Sequence, residues 1–221
     1  MKKTTLFVSV MMSLGAAAAQ ADWINRPLPG HASALISGTT SFTGPSTTGI
    51  LDVDVDWAVF APGDFAAAGG VFSVFSGFSA PSPTDYIYAY QIYNKGAANG
   101  GTSDTNLSSL NINFGTSGTI SSLGYDADFD SAGDDVNATL AIAFPPTASF
   151  LFYMPSLGVN QYSVVLLLAS PQAPVMSDIS SVIDGGLGIN GQLPAPVPSP
   201  AAAALGLIGL AFLGLNRRAA H

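Results

Sequence analysis

Cysteine is absent from the 221-residue chain, and so is glutamate. Histidine occurs twice, as His31 and the final His221. Without thiols there is no thiol nucleophile, no disulfide and no cysteine-ligated metal, and two histidines so far apart leave little for an imidazole-based centre. Cations are scarce as well. Six Lys and Arg stand against fourteen acids, every one Asp, for a formal net charge of −8. A chain of this sign lacks the basic patch that neutralises phosphate, which excludes nucleic acid as a partner. Charged residues make up 9% of the chain, where soluble domains carry about 25%. What the chain does have is 48% hydrophobic residues, 24 Gly and 15 Pro. That suffices for one domain with a core.

The few cations cluster at the ends. Lys2-Lys3 opens a short basic region, an apolar run follows from Leu6 to Ala19, and Ala19-Gln20-Ala21 places small residues where a signal peptidase reads them. Residues 1–21 therefore read as a secretory signal cut before Asp22. The alternative is an uncleaved anchor, but the run is shorter than the ~20 residues a span requires. At the other end, residues 192–200 read QLPAPVPSP, a Pro-rich spacer with fixed φ angles. Residues 201–221 hold the uncharged block AAAALGLIGLAFLGL, closed by Asn216-Arg217-Arg218. As a helix the block is about 22 Å long, short of a ~30 Å hydrocarbon core yet insertable with local thinning. Positive-inside bias keeps the arginines cytoplasmic, in agreement with export of the preceding domain.

Val197-Pro198-Ser199-Pro200, the apolar block and Arg217-Arg218 together resemble the tripartite PEP-CTERM sorting tail of Gram-negative bacteria. The family pattern is Pro-Glu-Pro, and this chain has Pro198-Ser199-Pro200. The resemblance covers the last 25 or so residues. It implies a tail that sits transiently in the inner membrane, is recognised by an exosortase-like enzyme, and delivers its cargo to the surface or matrix of a polysaccharide-producing bacterium. The alternative is a plain C-terminal anchor that is never processed. The run Asp56-Trp57-Ala58-Val59-Phe60-Ala61-Pro62-Gly63 and the later Tyr88-Ala89-Tyr90-Gln91 also resemble ectodomains carried by PEP-CTERM proteins. They imply a surface module without an assigned ligand.

Residues 22–191 show no long 3.6-residue apolar period, and several stretches alternate instead. Leu51, Val53, Val55, Trp57 and Val59 fall on one face of a strand, with Asp52, Asp54 and Asp56 on the other. This predicts an apolar core face and an acidic wet face, with Phe60-Ala61-Pro62-Gly63-Asp64 as the turn. In Asp85–Tyr93, Tyr86, Tyr88, Tyr90 and Ile92 share a face. Further strands are expected at 34–43, 71–78, 107–114, 119–125, 138–144, 148–154 and 162–169, with the continuous apolar run Val164–Leu168 central and buried. Regular short strands with turn signals, and no helix of crossover length, predict an all-β fold. The expected form is an antiparallel sandwich, jelly-roll-like or Ig-like, with a signal helix before it and a tail helix after it.

Three features are candidates for chemistry. Asp126, Asp128, Asp130, Asp134 and Asp135 lie within ten residues, and the first three at odd spacing suggest an oxygen-ligated calcium loop. Ser131 and Asn137 stand where an EF-hand needs Gly and Glu, so the competing reading is a solvated acidic loop. The row Asp52, Asp54, Asp56 must face water or meet a cation, because like charges on one face repel. Tyr86, Tyr88 and Tyr90 suit either a sugar-stacking platform or a core with hydroxyls at its rim. The sequons Asn106-Leu107-Ser108 and Asn137-Ala138-Thr139 carry no weight in a chain with bacterial ends. Neither GxSxG nor HExxH occurs, and neither histidine is placed for a triad. The chain reads as non-enzymatic. The expected role is structural or adhesive at the cell surface or in the extracellular matrix. The alternative is a carbohydrate- or calcium-binding surface module, with extracellular polysaccharide as ligand. Removal of both ends would leave only Arg26 and Lys95 facing the fourteen aspartates.

Overall fold

The computed structural model describes residues 31–46, 48–129, 136–184 and 187–197. The described residues form twelve strands: β1 Ile36–Pro45, β2 Ile50–Phe60, β3 Ser73–Val74, β4 Tyr86–Asn94, β5 Ser109–Asn113, β6 Ser122–Asp126, β7 Leu140–Phe144, β8 Thr147–Leu151, β9 Gln161–Tyr162, β10 Val165–Ser170, β11 Val175–Ile183 and β12 Gly188–Ala195. A four-residue helix, α1 Asp64–Ala67, follows β2. The first sheet runs β1-β2-β4-β10-β6-β3, with β9 added to β4, and the second runs β12-β11-β5-β8-β7. Every ladder is antiparallel.

The alternation explains how the sheets meet. Leu51, Val53, Val55 and Val59 of β2, Tyr88, Tyr90 and Ile92 of β4, and Leu166 and Leu168 of β10 point toward the second sheet. They pack against Leu110 and Ile112 of β5, Ala148 and Phe150 of β8, Val182 of β11 and Leu193 of β12. A second cluster covers the opposite face of the first sheet: Ala58, Phe60, Ile87, Ala89, Val165, Leu167 and Ala169, roofed by Phe65 of α1 and by Phe129. Phe60, Phe65 and Phe129 meet in pairs with centroids 5.3, 4.9 and 6.1 Å apart. β10 is thus covered on both faces, and all six of its residues are buried. This is why its sequence runs apolar without alternation.

Two glycines are fixed by geometry. Gly63 turns the chain from β2 into α1 at φ 88°, a left-handed conformation costly for any side chain. At Gly124 in β6 a Cβ would stand 2.3 Å from the Phe72 ring.

Several expectations need correction. The strand expected over 71–78 shrinks to the two residues of β3. The one expected over 162–169 is two strands, β9 and β10, on either side of Ser163 and Val164. β11 and β12 were not anticipated, and β12 enters the stretch read as a Pro-rich spacer: Leu193 and Ala195 are fully buried. Residues 192–195 of that stretch belong to β12. The signal and tail helices fall outside the described residues. Among the described residues no helix is long and apolar enough to cross a membrane.

Candidate functional site

The acidic row of β2 is not a wet face. Asp52 is 5% exposed and Asp56 is fully buried. The reason lies in β1, whose hydroxyls repeat with the same period of two. Thr39, Ser41 and Thr43 stand in register with Asp56, Asp54 and Asp52. Each donates to its carboxylate, at 3.1, 2.5 and 2.7 Å. Lys95, just past β4, closes the lower end: its Nζ lies 3.1 Å from Asp52 Oδ1 and 2.9 Å from Asp54 Oδ1. Asp52 Oδ2 also accepts from the Thr102 N–H at 2.9 Å and its hydroxyl at 3.1 Å. Beside the ladder, Tyr93 stacks on Tyr162 of β9 at 4.3 Å and 11°.

The electrostatics follow from these contacts. Burial alone would raise the Asp52 carboxyl; the hydrogen bonds from Thr43, Thr102 and Lys95 outweigh it and hold the group below its ordinary value. Burial likewise works against the charge on Lys95, and the two carboxylates overcome it, raising its pKa. Burial, with Tyr162 and Asp54 adding to it, pushes the Tyr93 phenol up to about 12. A lysine held this firmly in its charged form is not a nucleophile at neutral pH. Hydroxyls, the Thr102 N–H and the ammonium bind these carboxylates, so the ladder joins β1 to β2 and β2 to the turn after β4.

The aspartates proposed for calcium divide. Asp126, 4% exposed, is spent on the main chain: Oδ2 accepts from the Val71 N–H at 2.6 Å and Oδ1 from the Asp128 N–H at 3.0 Å. Asp128 is exposed. Asp130 and Asp134 lie outside the described residues. Among the described residues no group of three or more His, Cys, Asp or Glu is placed to hold a metal.

Two of the three tyrosines in the row belong to the core, and Tyr86 is half-buried against it. Tyr88 and Tyr90 are fully buried, with hydroxyls donated to Gln172 O at 2.8 Å and to Pro194 O at 2.5 Å. Burial raises both phenol pKa values. Aromatic surface is offered elsewhere. A groove of about 460 Å³ lies between Val74, Phe75 and Tyr125 on the first sheet and Asn137 and Thr139 before β7. The Phe75 and Tyr125 rings are 5.2 Å apart. A smaller apolar hollow of about 260 Å³ is lined by Phe65, Phe72, Pro81, Ile87 and Asp85. The Asp85 carboxylate already accepts from the Ser82 N–H at 2.8 Å and the Ser121 hydroxyl at 2.6 Å.

Charge is unevenly spread over the two sheets. The ladder, Asp85 and Asp126 belong to the first sheet and the segments attached to it. From Val136 through Ser177 the sequence contains no Asp, Glu, Lys, Arg or His. In the second sheet β11 carries Asp178, whereas β5, β8 and β7, side by side beyond it, carry none. On this uncharged side Leu140, Ile142, Phe144, Tyr153 and Met154 are exposed. The composition pointed to few charges, and the pairing of strands gathers the uncharged β5, β8 and β7 at one end of the second sheet.

Of the expected sorting residues, Val197 alone is described: it is half-buried against the main core, its N–H bonded to Ala195 O at 2.9 Å. Pro198, Ser199, Pro200, Arg217 and Arg218 lie outside the described residues, as do Ala19 and Ala21 of the signal cleavage site. No family model, curated protein or solved structure matches the chain.

Proposed function

We propose that the chain is an exported protein sorted by its C-terminal PEP-CTERM-like tail, with a structural or adhesive role at the cell surface or in the extracellular matrix. In this reading a signal helix over 1–21 directs export and is removed by signal peptidase. A tail helix over 201–221 then holds the protein in the inner membrane until an exosortase-like enzyme acts near Pro200. The sandwich, of the jelly-roll or Ig kind, is the cargo. The observation that carries the role is the uncharged β5-β8-β7 side of the second sheet. The ladder's polar groups hold strands of the first sheet together, while this side exposes Leu140, Ile142 and Phe144. Such a face suits packing against other molecules. Burial of Leu193, Ala195 and part of Val197 supports the tail assignment, since the packed core extends along the chain as far as the residue before the expected Pro motif.

The experiment is fractionation of the producing cell, comparing the full chain with one ending at Pro196. The full chain is expected at the surface or in the matrix. The truncated chain is expected in the periplasm or shed to the medium. Identical distributions would remove the sorting reading.

A second reading rests on the Phe75–Tyr125 groove, whose two rings and polar rim suit a sugar ring. In that case the protein binds the producer's polysaccharide, and Tyr125→Ala abolishes retention on it. Retention unchanged by that substitution discards the groove as a binding site.

A further inference from the structure

The edges of the two sheets are not equivalent. β1 and β12 lie against each other: Thr40 Oγ1 donates to Gln192 O at 2.6 Å, and a Cβ at Gly191 would stand 2.5 Å from the Phe42 ring. β3 offers only two residues. β7 keeps five, Leu-Ala-Ile-Ala-Phe, with neither charge nor proline. It pairs with β8 on one side and with no other strand among the described residues, so alternate backbone N–H and C=O groups face outward, a template for another strand. Leu140, Ile142 and Phe144 are 41%, 44% and 77% exposed, whereas Ala141 is 4% exposed.

The strand is symmetric in size: large, small, large, small, large. An antiparallel copy related by a two-fold axis at Ile142 would set Ile142 on Ile142, Leu140 on Phe144 and Ala141 on Ala143. Charge favours the same occupant. A basic partner would find no counter-charge on β7 or on β8 beside it, whereas two chains of net charge −8 can pair β7 on β7 with no carboxylate on either strand.

We propose that two copies of this chain associate edge to edge through β7, antiparallel about Ile142, joining two five-stranded sheets into one. The pairing is isologous and closes at two copies. It deepens the structural reading above and rests on it, by supplying a link between two surface-borne chains. Its failure would leave the fractionation result untouched, so the two can fail separately.

The chain has no cysteine, so Ile142→Cys introduces a lone thiol, and residues directly opposite across a ladder lie within disulfide reach. The full chain in mild detergent would be oxidised and its dimer fraction read on a non-reducing gel. Ile142→Cys is expected to cross-link several-fold more than Ala67→Cys, an exposed position on α1. A mixture of Leu140→Cys and Phe144→Cys chains is expected to cross-link several-fold more than Leu140→Cys alone. Equal cross-linking at positions 67 and 142 would overturn the proposal. So would Leu140→Cys linking to itself as readily as to Phe144→Cys, which would mean a different register. Protection of all three β7 thiols from a maleimide without any cross-link would point to a covering other than a second copy.

Discussion

Replacing Lys95 with Met tests the ladder most sharply. The substitution keeps an apolar stem of similar length and removes the ammonium that lies 3.1 Å from Asp52 and 2.9 Å from Asp54. Removing one partner of a fully buried pair costs about 3–5 kcal/mol, because the other charge stays buried without compensation. Here the Lys95, Asp52 and Asp54 side chains are 19%, 7% and 24% exposed, so water screens part of that charge. About 1–3 kcal/mol is the expected loss at neutral pH. Urea unfolding of the full chain in mild detergent, followed by the fluorescence of Trp57 on β2, should show a lower midpoint with an unchanged slope. The pH dependence has a definite sign. Asp52 is depressed below 3.8, so its contribution is present above that value and is lost as pH falls through the folded pKa. Lys95 is raised above 10.5, so its contribution is present below that value and is lost as pH rises through the folded pKa. The gap between the wild type and Lys95→Met should therefore be widest between about pH 5 and pH 10 and narrow toward either limit. A gap below ~0.5 kcal/mol at pH 7, or one that widens in acid, would refute the reasoning.

Tyr90→Phe removes the hydroxyl that reaches Pro194 O in the core; leaving that carbonyl unsatisfied should cost about 1–3 kcal/mol in a chemical melt. Phe150, fully buried in the second sheet, should cost about 3–5 kcal/mol as Ala through cavity formation, and a loss under ~1 kcal/mol would mean the sheets do not share that core. Asp126→Ala should cost about 1–3 kcal/mol by stranding the Val71 and Asp128 N–H groups. That loss should be the same with calcium or with a chelator, and a loss seen only with calcium would restore the metal reading.

The parts of the fold that were legible are those whose physics is local. β2 and β4 announce themselves by alternation, and β10 by an unbroken apolar run that needs cover on both faces. β11 and β12 were hidden because Ser177, Ser180 and Ser181 in the first, and Gly188, Asn190, Gly191 and Pro194 in the second, interrupt the apolar alternation. β11 carries a register shift between Ser177 and Ser180, and β12 holds Pro194, tolerated at a sheet edge. Asp52, Asp54 and Asp56 were visible as a row, but their partners were not. The hydroxyls that satisfy them sit on a separate strand, and Lys95 comes from a turn more than forty residues along. Only the register of β1 on β2 and of β2 on β4 brings them together. The same holds for the tyrosines, since alternation puts Tyr86, Tyr88 and Tyr90 on one face without saying whether a second sheet covers it. The uncharged side was legible as a gap in the charge count and invisible as a surface until β5, β8 and β7 were seen to lie next to one another in one sheet.

The central claim is that the tail is an address which is read and then removed. The most direct measurement is the intact mass, with C-terminal peptide sequencing, of the protein recovered from the surface or matrix of the producing cell. A mature chain beginning at Asp22 and ending near Pro200, free of Arg217 and Arg218, is the predicted result. A surface-recovered chain that still carries Arg218 would contradict it.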